Sequence, residues 1–245
     1  MAIATARARD RVTAADVSKM PAEYRELLTR LLTIQADCEI GGPHLYVKDM
    51  LLNAPTDKDK LLVARTAGEE IDHFRKMCKL ANDLGVDTTY LLKRSNMERY
   101  VEAFRDVIQT WEDYAVFGFL VDRVGRFQLE EYVGGSYLPL DRLMQPMLLE
   151  EQGHISHGQE ETARMAASDD PEQRTRIQER VNYWYPKALD MFGNSESRRS
   201  ERFIYWGLKR RHNAEARSAY IAEVNPLIEE MGLQIPDEKE GRKYF

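Results

Sequence analysis

Two short stretches of the chain, GEEIDHF at 68–74 and LEEQGHIS at 149–156, carry the same arrangement: two adjacent glutamates and a histidine three residues after the second. On a helix, positions i and i+3 project from one face. Glu70 with His73, and Glu151 with His154, can therefore each bring a carboxylate and an imidazole to one metal ion. Either pair alone also looks like a solvated run of charge, in a chain with 41 aspartates and glutamates. Their context distinguishes them. Glu70 and Glu151 are 81 positions apart, as are His73 and His154, and each pair is preceded by an acid, Glu39 and Asp122, 83 positions apart. In an antiparallel helix pair, residues equidistant from the turn stand at one height. The spacing thus predicts two hairpins, each with an acid on its first helix and Glu-x-x-His on its second. Four carboxylates and two imidazoles at matching heights are the donor set of a carboxylate-bridged dinuclear site in a four-helix bundle. Iron or manganese suits such donors better than copper or structural zinc.

Helices must position these residues, and helical spacing dominates the chain. It predicts a long helix over 21–52 bent at GGP (41–43), a second over 59–84 ending at Gly85, and a short helix near 96–106. A third long helix is expected over 108–133 and a fourth over 139–167. Asp170 and Pro171 then cap and open another, FGNSES (192–197) interrupts, and helices resume to about 231 before an extended polar tail. No alternating strand is recognisable. The expected fold is all-α, a four-helix bundle over 21–168 with additional C-terminal helices over 169–245 packed on it. Residues 1–20 are read as a flexible arm rather than a targeting signal.

All four acids lie on mainly apolar helical faces. Glu39 follows Leu28, Leu32 and Gln35; Glu70 lies among Val63, Ala67, Phe74 and Met77. Asp122 follows Trp111, Ala115 and Phe119; Glu151 lies among Met144, Met147, Leu148 and Ile155. A carboxylate buried there must be paired, protonated or metal-bound. Asp122 has a competing reading as a salt bridge to Arg126, and Glu130 and Glu131 are rivals too near the turn to face Glu151. Glu69, Asp72 and Glu150 fall off the ligand face, where they can act as hydrogen-bond acceptors for a ligating imidazole. His157 is read as a neighbouring or surface histidine rather than a ligand, His212 as exposed, and His44 is undetermined. Trp111, Tyr114, Phe117 and Phe119 are read as core, with a pocket wall as the alternative. The basic cluster over 197–211 is read as a solvated face, or as a place to hold phosphates or a partner.

The net charge of −6 argues against nucleic acid as a partner. Two cysteines cannot make a disulfide framework or an iron–sulfur cluster, which suits a reducing cytoplasm, and no apolar run is long enough to span a membrane. With no cysteine cluster or glycine-rich phosphate loop of its own, the chain would draw electrons from a separate reductase.

Longer stretches resemble the bacterial phenylacetyl-CoA epoxidase catalytic subunit family, among the ferritin-like multicomponent diiron monooxygenases. MPAEYRELLTRLLTIQADCEIGG resembles its first ligand helix, EEIDH its second motif, and TWEDYAVFGFLVD its third helix. SYLPLDRLMQPMLLEEQGH resembles the return helix, and YWYPKALDMFG, WGLKRRHNAEAR and MGLQIPD resemble the tail. The resemblance implies two iron ions, with manganese or a mixed pair also compatible, held by Glu39, Glu70, His73, Asp122, Glu151 and His154. It further implies O2 and an aromatic or unsaturated acyl-CoA thioester as substrates and an external NAD(P)H-dependent reductase. A homo- or hetero-oligomer is implied as well, with a ferritin-like non-catalytic subunit. Gln35, Asp37, Cys38 and Asp72 depart from the family pattern, and the chain is shorter than expected, so a paralogue with another substrate fits too. The rival expectations are the non-catalytic partner itself and an iron- or peroxide-handling ferritin-like protein.

Overall fold

The computed structural model describes residues 11–245 and is all-α. Its elements are α1 (Ala22–Asn53), α2 (Asp57–Asn82), α3 (Trp111–Phe117), a π-helical segment (Gly118–Asp122) and α4 (Arg123–Glu130). They continue with α5 (Leu138–Ala166), α6 (Pro171–Asp190), α7 (Arg198–Tyr205) and α8 (Asn213–Glu230). The central bundle is α1, α2, the continuous run α3–π–α4, and α5. Thr56 caps α2 in a reciprocal box with Asp59, which shortens the expected turn and starts the helix at Asp57. Gly85, at φ 77°, stands just past the end of α2. Asp170 accepts from the Glu172 amide at 2.9 Å and opens α6, as its sequence predicts.

Two expectations are corrected, at 96–106 and at 1–20. The first helix is continuous through GGP, as expected: α1 runs through Pro43, which forgoes only the amide bond to the Glu39 carbonyl. Gly41 is small for a packing reason, since a Cβ there would stand 2.9 Å from the Phe104 ring. The helix expected near 96–106 is instead two of three single 3₁₀ turns, at Asn96–Glu98 and Glu102–Phe104, the third lying at Thr89–Lys93. Buried Arg99 pins this connection to α1, donating to Asp37 at 2.8 Å and to the carbonyls of Leu91 and Arg94. The expected arm at 1–20 falls partly on residues 1–10, outside those described. Over 11–20 the chain is not free: Val12 is buried, and its backbone bonds Ser136 and Leu138 at 2.7 and 3.0 Å.

Two apolar clusters fill the interior. One gathers Tyr24, Leu28, Leu32, Phe74, Met77, Met144 and Met147. The other gathers Tyr46, Met50, Val63, Ala67, Phe117, Val121, Val124, Trp184 and Tyr220. Along α1, α2 and α5 the change from one cluster to the other comes at Glu39, at Glu70 and His73, and between Met147 and Met165. Glu39, Glu70 and Glu151 therefore stand where the apolar packing is handed over.

Candidate metal centre

Glu39, Glu70, His73 and Glu151 are buried, and one candidate ligand atom from each lies within 4.8 Å of the others. His154 joins them: its Nδ1 is 3.4 Å from Glu70 Oε1 and 3.8 Å from Glu151 Oε2. Asp122 lines the same small cavity as Glu39, Glu70 and Glu151, and it is the least buried of the six. All six residues picked out by spacing are thus brought to one place. The competing partner for Asp122 is engaged elsewhere, since Arg126 bonds Glu130 and Glu223. Glu131 is held by Arg211 Nε and by the amides of Arg210 and Arg211.

The imidazoles are clamped from across the bundle. His73 Nε2 meets Glu150 at 2.7 Å, and His154 Nε2 meets Glu69 at 2.8 Å. Each clamp is the glutamate preceding the candidate ligand of the opposite repeat. An acceptor on Nε2 fixes that nitrogen as the donor and turns Nδ1 inward. Asp72 takes no such part; it pairs with Arg75 and Lys76 on the surface. The first acid has its own support, because Gln35 Nε2 donates to Glu39 Oε1 at 2.7 Å and Tyr132 donates to Gln35 Oε1 at 3.1 Å.

The second acid is positioned by backbone. The π-helical segment ends at Asp122, and it loosens the helix where α5 comes closest. Gly158 permits that approach, since a Cβ on it would meet the Phe119 amide nitrogen at 2.5 Å. The carbonyls of the segment find other donors: Arg123 Nε reaches Phe119 O at 3.1 Å, and Tyr220 of α8 reaches Leu120 O at 3.0 Å.

The electrostatics show how these groups strain against each other without a cation. Burial, and then the charge of Glu151, raises the Glu70 carboxyl well above its ordinary range. The same two causes raise Asp122 to about 8. Burial opposes ionisation of Glu151 too, but His154 and His73 hold it down at about 2. His73 goes up to about 11, burial being outweighed by Glu151 and Glu39, and His154 rises well above the usual imidazole value through Glu151 and Glu70. His154 Nδ1 is buried and has no hydrogen-bond partner. A hard or borderline divalent cation would relieve both conditions at once, taking the free imidazole nitrogen and neutralising crowded carboxylates. The donor set therefore fits the metal that its spacing suggests.

Other histidines stay outside. His157 packs edge-on against Trp111 with ring centroids 5.9 Å apart, His44 accepts from Arg99, and His212 stands at the N-terminus of α8. The cavity beside the acids is walled by Tyr46, Phe104, Val121 and Leu129 rather than by Trp111, Phe117 or Phe119, which are core. Sequence reasoning overlooked Tyr46 and Phe104 as cavity walls and Tyr132 as a support. Tyr46 is signalled only by its place seven residues, two helical turns, after Glu39; the other two come from distant segments.

Comparison with known proteins follows the same line. Residues 7–244 match the family described as phenylacetic acid catabolic protein. The chain is 29% identical over 223 residues to one subunit of the 1,2-phenylacetyl-CoA epoxidase of Escherichia coli K12, covering 89% of this chain and 71% of that protein. It is 27% identical over 224 residues to benzoyl-CoA oxygenase component B of Aromatoleum evansii, covering 80% of this chain and 47% of that protein. The chain thus spans about half the length of the second relative. Among the described residues, no helix is long and apolar enough to cross a membrane.

Proposed function

The chain belongs to the phenylacetic acid catabolic protein family, and from that premise we propose that it is the oxygen-activating subunit of a multicomponent dinuclear iron monooxygenase. Its substrate is an aromatic or unsaturated acyl-CoA thioester, of which phenylacetyl-CoA is the leading candidate. The observation that carries the reading is the convergence of two Glu-x-x-His repeats, each imidazole clamped at Nε2 from the opposite hairpin with Nδ1 turned to shared carboxylates. The complete donor set argues against a non-catalytic partner role, and the additional C-terminal helices argue against iron storage.

Glu39, Glu70, His73, Asp122, Glu151 and His154 would hold the two ions. Iron held there would supply the chemistry of O2 activation, in which two electrons and two protons leave one oxygen atom for a substrate C=C bond and the other as water. The protein's share is to position and to exclude. Glu69 and Glu150 fix the imidazole tautomers. Glu151, facing both imidazoles at 3.6 and 3.8 Å, is the carboxylate best placed to serve both ions. Phe104, Val121 and Leu129 keep bulk water from the centre. The buried Tyr46 hydroxyl, without a partner, offers a hydrogen-bond donor in the same cavity. Two electrons per turnover come from an NAD(P)H-dependent reductase, and a ferritin-like second subunit completes the complex. This fits relatives whose names mark them as one component and one subunit. The two free thiols, Cys38 and Cys78, suit a cytoplasmic location.

The test is turnover. Iron-loaded protein, a generic reductase and NADH are supplied with phenylacetyl-CoA, benzoyl-CoA or an unsaturated acyl-CoA under ¹⁸O2. A thioester product carrying one labelled oxygen is expected. Oxygen reduced only to water or peroxide with every thioester would contradict the substrate class.

A further inference from the structure

The cavity beside the carboxylates is only about 30 Å³, room for a water or two, whereas a benzene ring occupies a cavity on the order of 150 Å³. Outside it lies a larger cleft of about 260 Å³ between α1, α4 and the C-terminal helices, with Arg30, Arg199 and Lys209 among its lining. The two spaces share Gln35, Gln128 and Met191, which form the partition between them. Any substrate reaching the acids from this side must displace that partition. Gln128 donates to the Met191 carbonyl at 3.3 Å, which leaves Gln35 as the member bonded to a site carboxylate.

The orientation of the Gln35 amide follows from its partners. A carboxylate only accepts, so Nε2 faces Glu39, and Oε1 is left for the Tyr132 hydroxyl. Gln35 is buried, while Tyr132 is half-buried in the cleft wall. Two side chains, Tyr132 and Gln35, thus link the outer cleft to one candidate ligand, Glu39. We propose that Gln35 is a positioning residue and inner gate: it restrains Glu39 while the cleft is empty and releases it when an acyl thioester entering the cleft displaces the amide or captures the Tyr132 hydroxyl. Substrate arrival and freedom of the Glu39 carboxylate are then one event, and oxygen activation without substrate is held back. The inference rests on the metal-centre reading above and adds a regulation to it.

The experiment is near-infrared circular dichroism of the anaerobic Fe(II)-loaded protein, with and without phenylacetyl-CoA, in wild type, Gln35→Leu and Tyr132→Phe. Wild-type bands are expected to shift on adding the thioester. Gln35→Leu should give bands already displaced and no further shift, and Tyr132→Phe a diminished shift. Both variants should still load iron. Tyr132→Phe removes a single oxygen atom, so it reads the link even if Gln35→Leu folds poorly by thermal melting. A wild-type spectrum indifferent to the thioester, or variants that respond as wild type does, would overturn the gate while leaving the centre in place. Failure of the wild type to load iron would overturn the metal-centre reading and the gate with it.

Discussion

The two hairpins present the same kinds of donor to the centre, two carboxylates and an imidazole each, but support them differently. In the first, Glu39 sits on unbroken helix and is restrained by a side-chain chain through Gln35 to Tyr132. In the second, Asp122 has no such restraint; a π-helical segment places it, propped by Tyr220 of α8. The imidazoles differ in the same sense. His73 Nδ1 lies 3.2 Å from Glu39, whereas His154 Nδ1 has no hydrogen-bond partner. The sequence repeat is thus symmetric in donors and asymmetric in support. A centre built this way has one half held by side chains facing the cleft and one half held by backbone and the C-terminal helices.

The largest break in that comparison is removal of the residue common to both halves. Glu151→Ala should abolish binding of both ions, while Asp122→Ala should spare one, as metal analysis after loading would show. Next come the crossed clamps. Glu150→Gln and Glu69→Gln should each weaken metal affinity by about 10–100-fold, read by Mn(II) titration, with His73 and His154 affected respectively. Equal loss in both variants would mean that the clamps are symmetric although the acids are not.

A pH series sharpens the electrostatic side. In metal-free protein, His73, raised to about 11, contributes stability that is complete below the ordinary imidazole value of about 6.5 and fades as pH rises through the folded value. Asp122, raised to about 8, destabilises progressively from the ordinary carboxyl range up to that value. Glu151, at about 2, is ionised throughout. The signs agree: between about pH 6 and about pH 8 the metal-free Tm should fall, and metal affinity should rise as fewer protons need displacing. Calorimetry with and without Mn(II) checks both. Smaller still, Gly158→Ala crowds the backbone of the π segment and should cost about 1–3 kcal/mol. Tyr220→Phe should cost about 1 kcal/mol. Both are measured by chemical denaturation, and both should disturb the Asp122 side alone.

The donors were legible because helices translate spacing into height: the offset of 81 positions in Glu70/Glu151 and His73/His154 needs only two similar hairpins. Glu69 and Glu150 were legible as acceptors in type, but their crossing to the opposite imidazole depends on how α2 packs on α5. The π segment left no periodic trace, because it adds slack within a run that is apolar on all sides, GFLV. Gln35 was visible as the polar member of the stripe leading to Glu39 and as a departure from the family pattern; its meaning required Tyr132, which bonds it from beyond the end of α4. The 96–106 stretch misled because its apolar residues serve separate 3₁₀ turns tied down by Arg99.

The central claim is that these six residues hold two metal ions. Anaerobic loading with Fe(II), removal of excess metal and measurement of iron per chain tests it most directly. About two irons per chain are predicted, as six ligands of this type accommodate, falling to none in Glu151→Ala. A wild-type chain that retains no iron would contradict it.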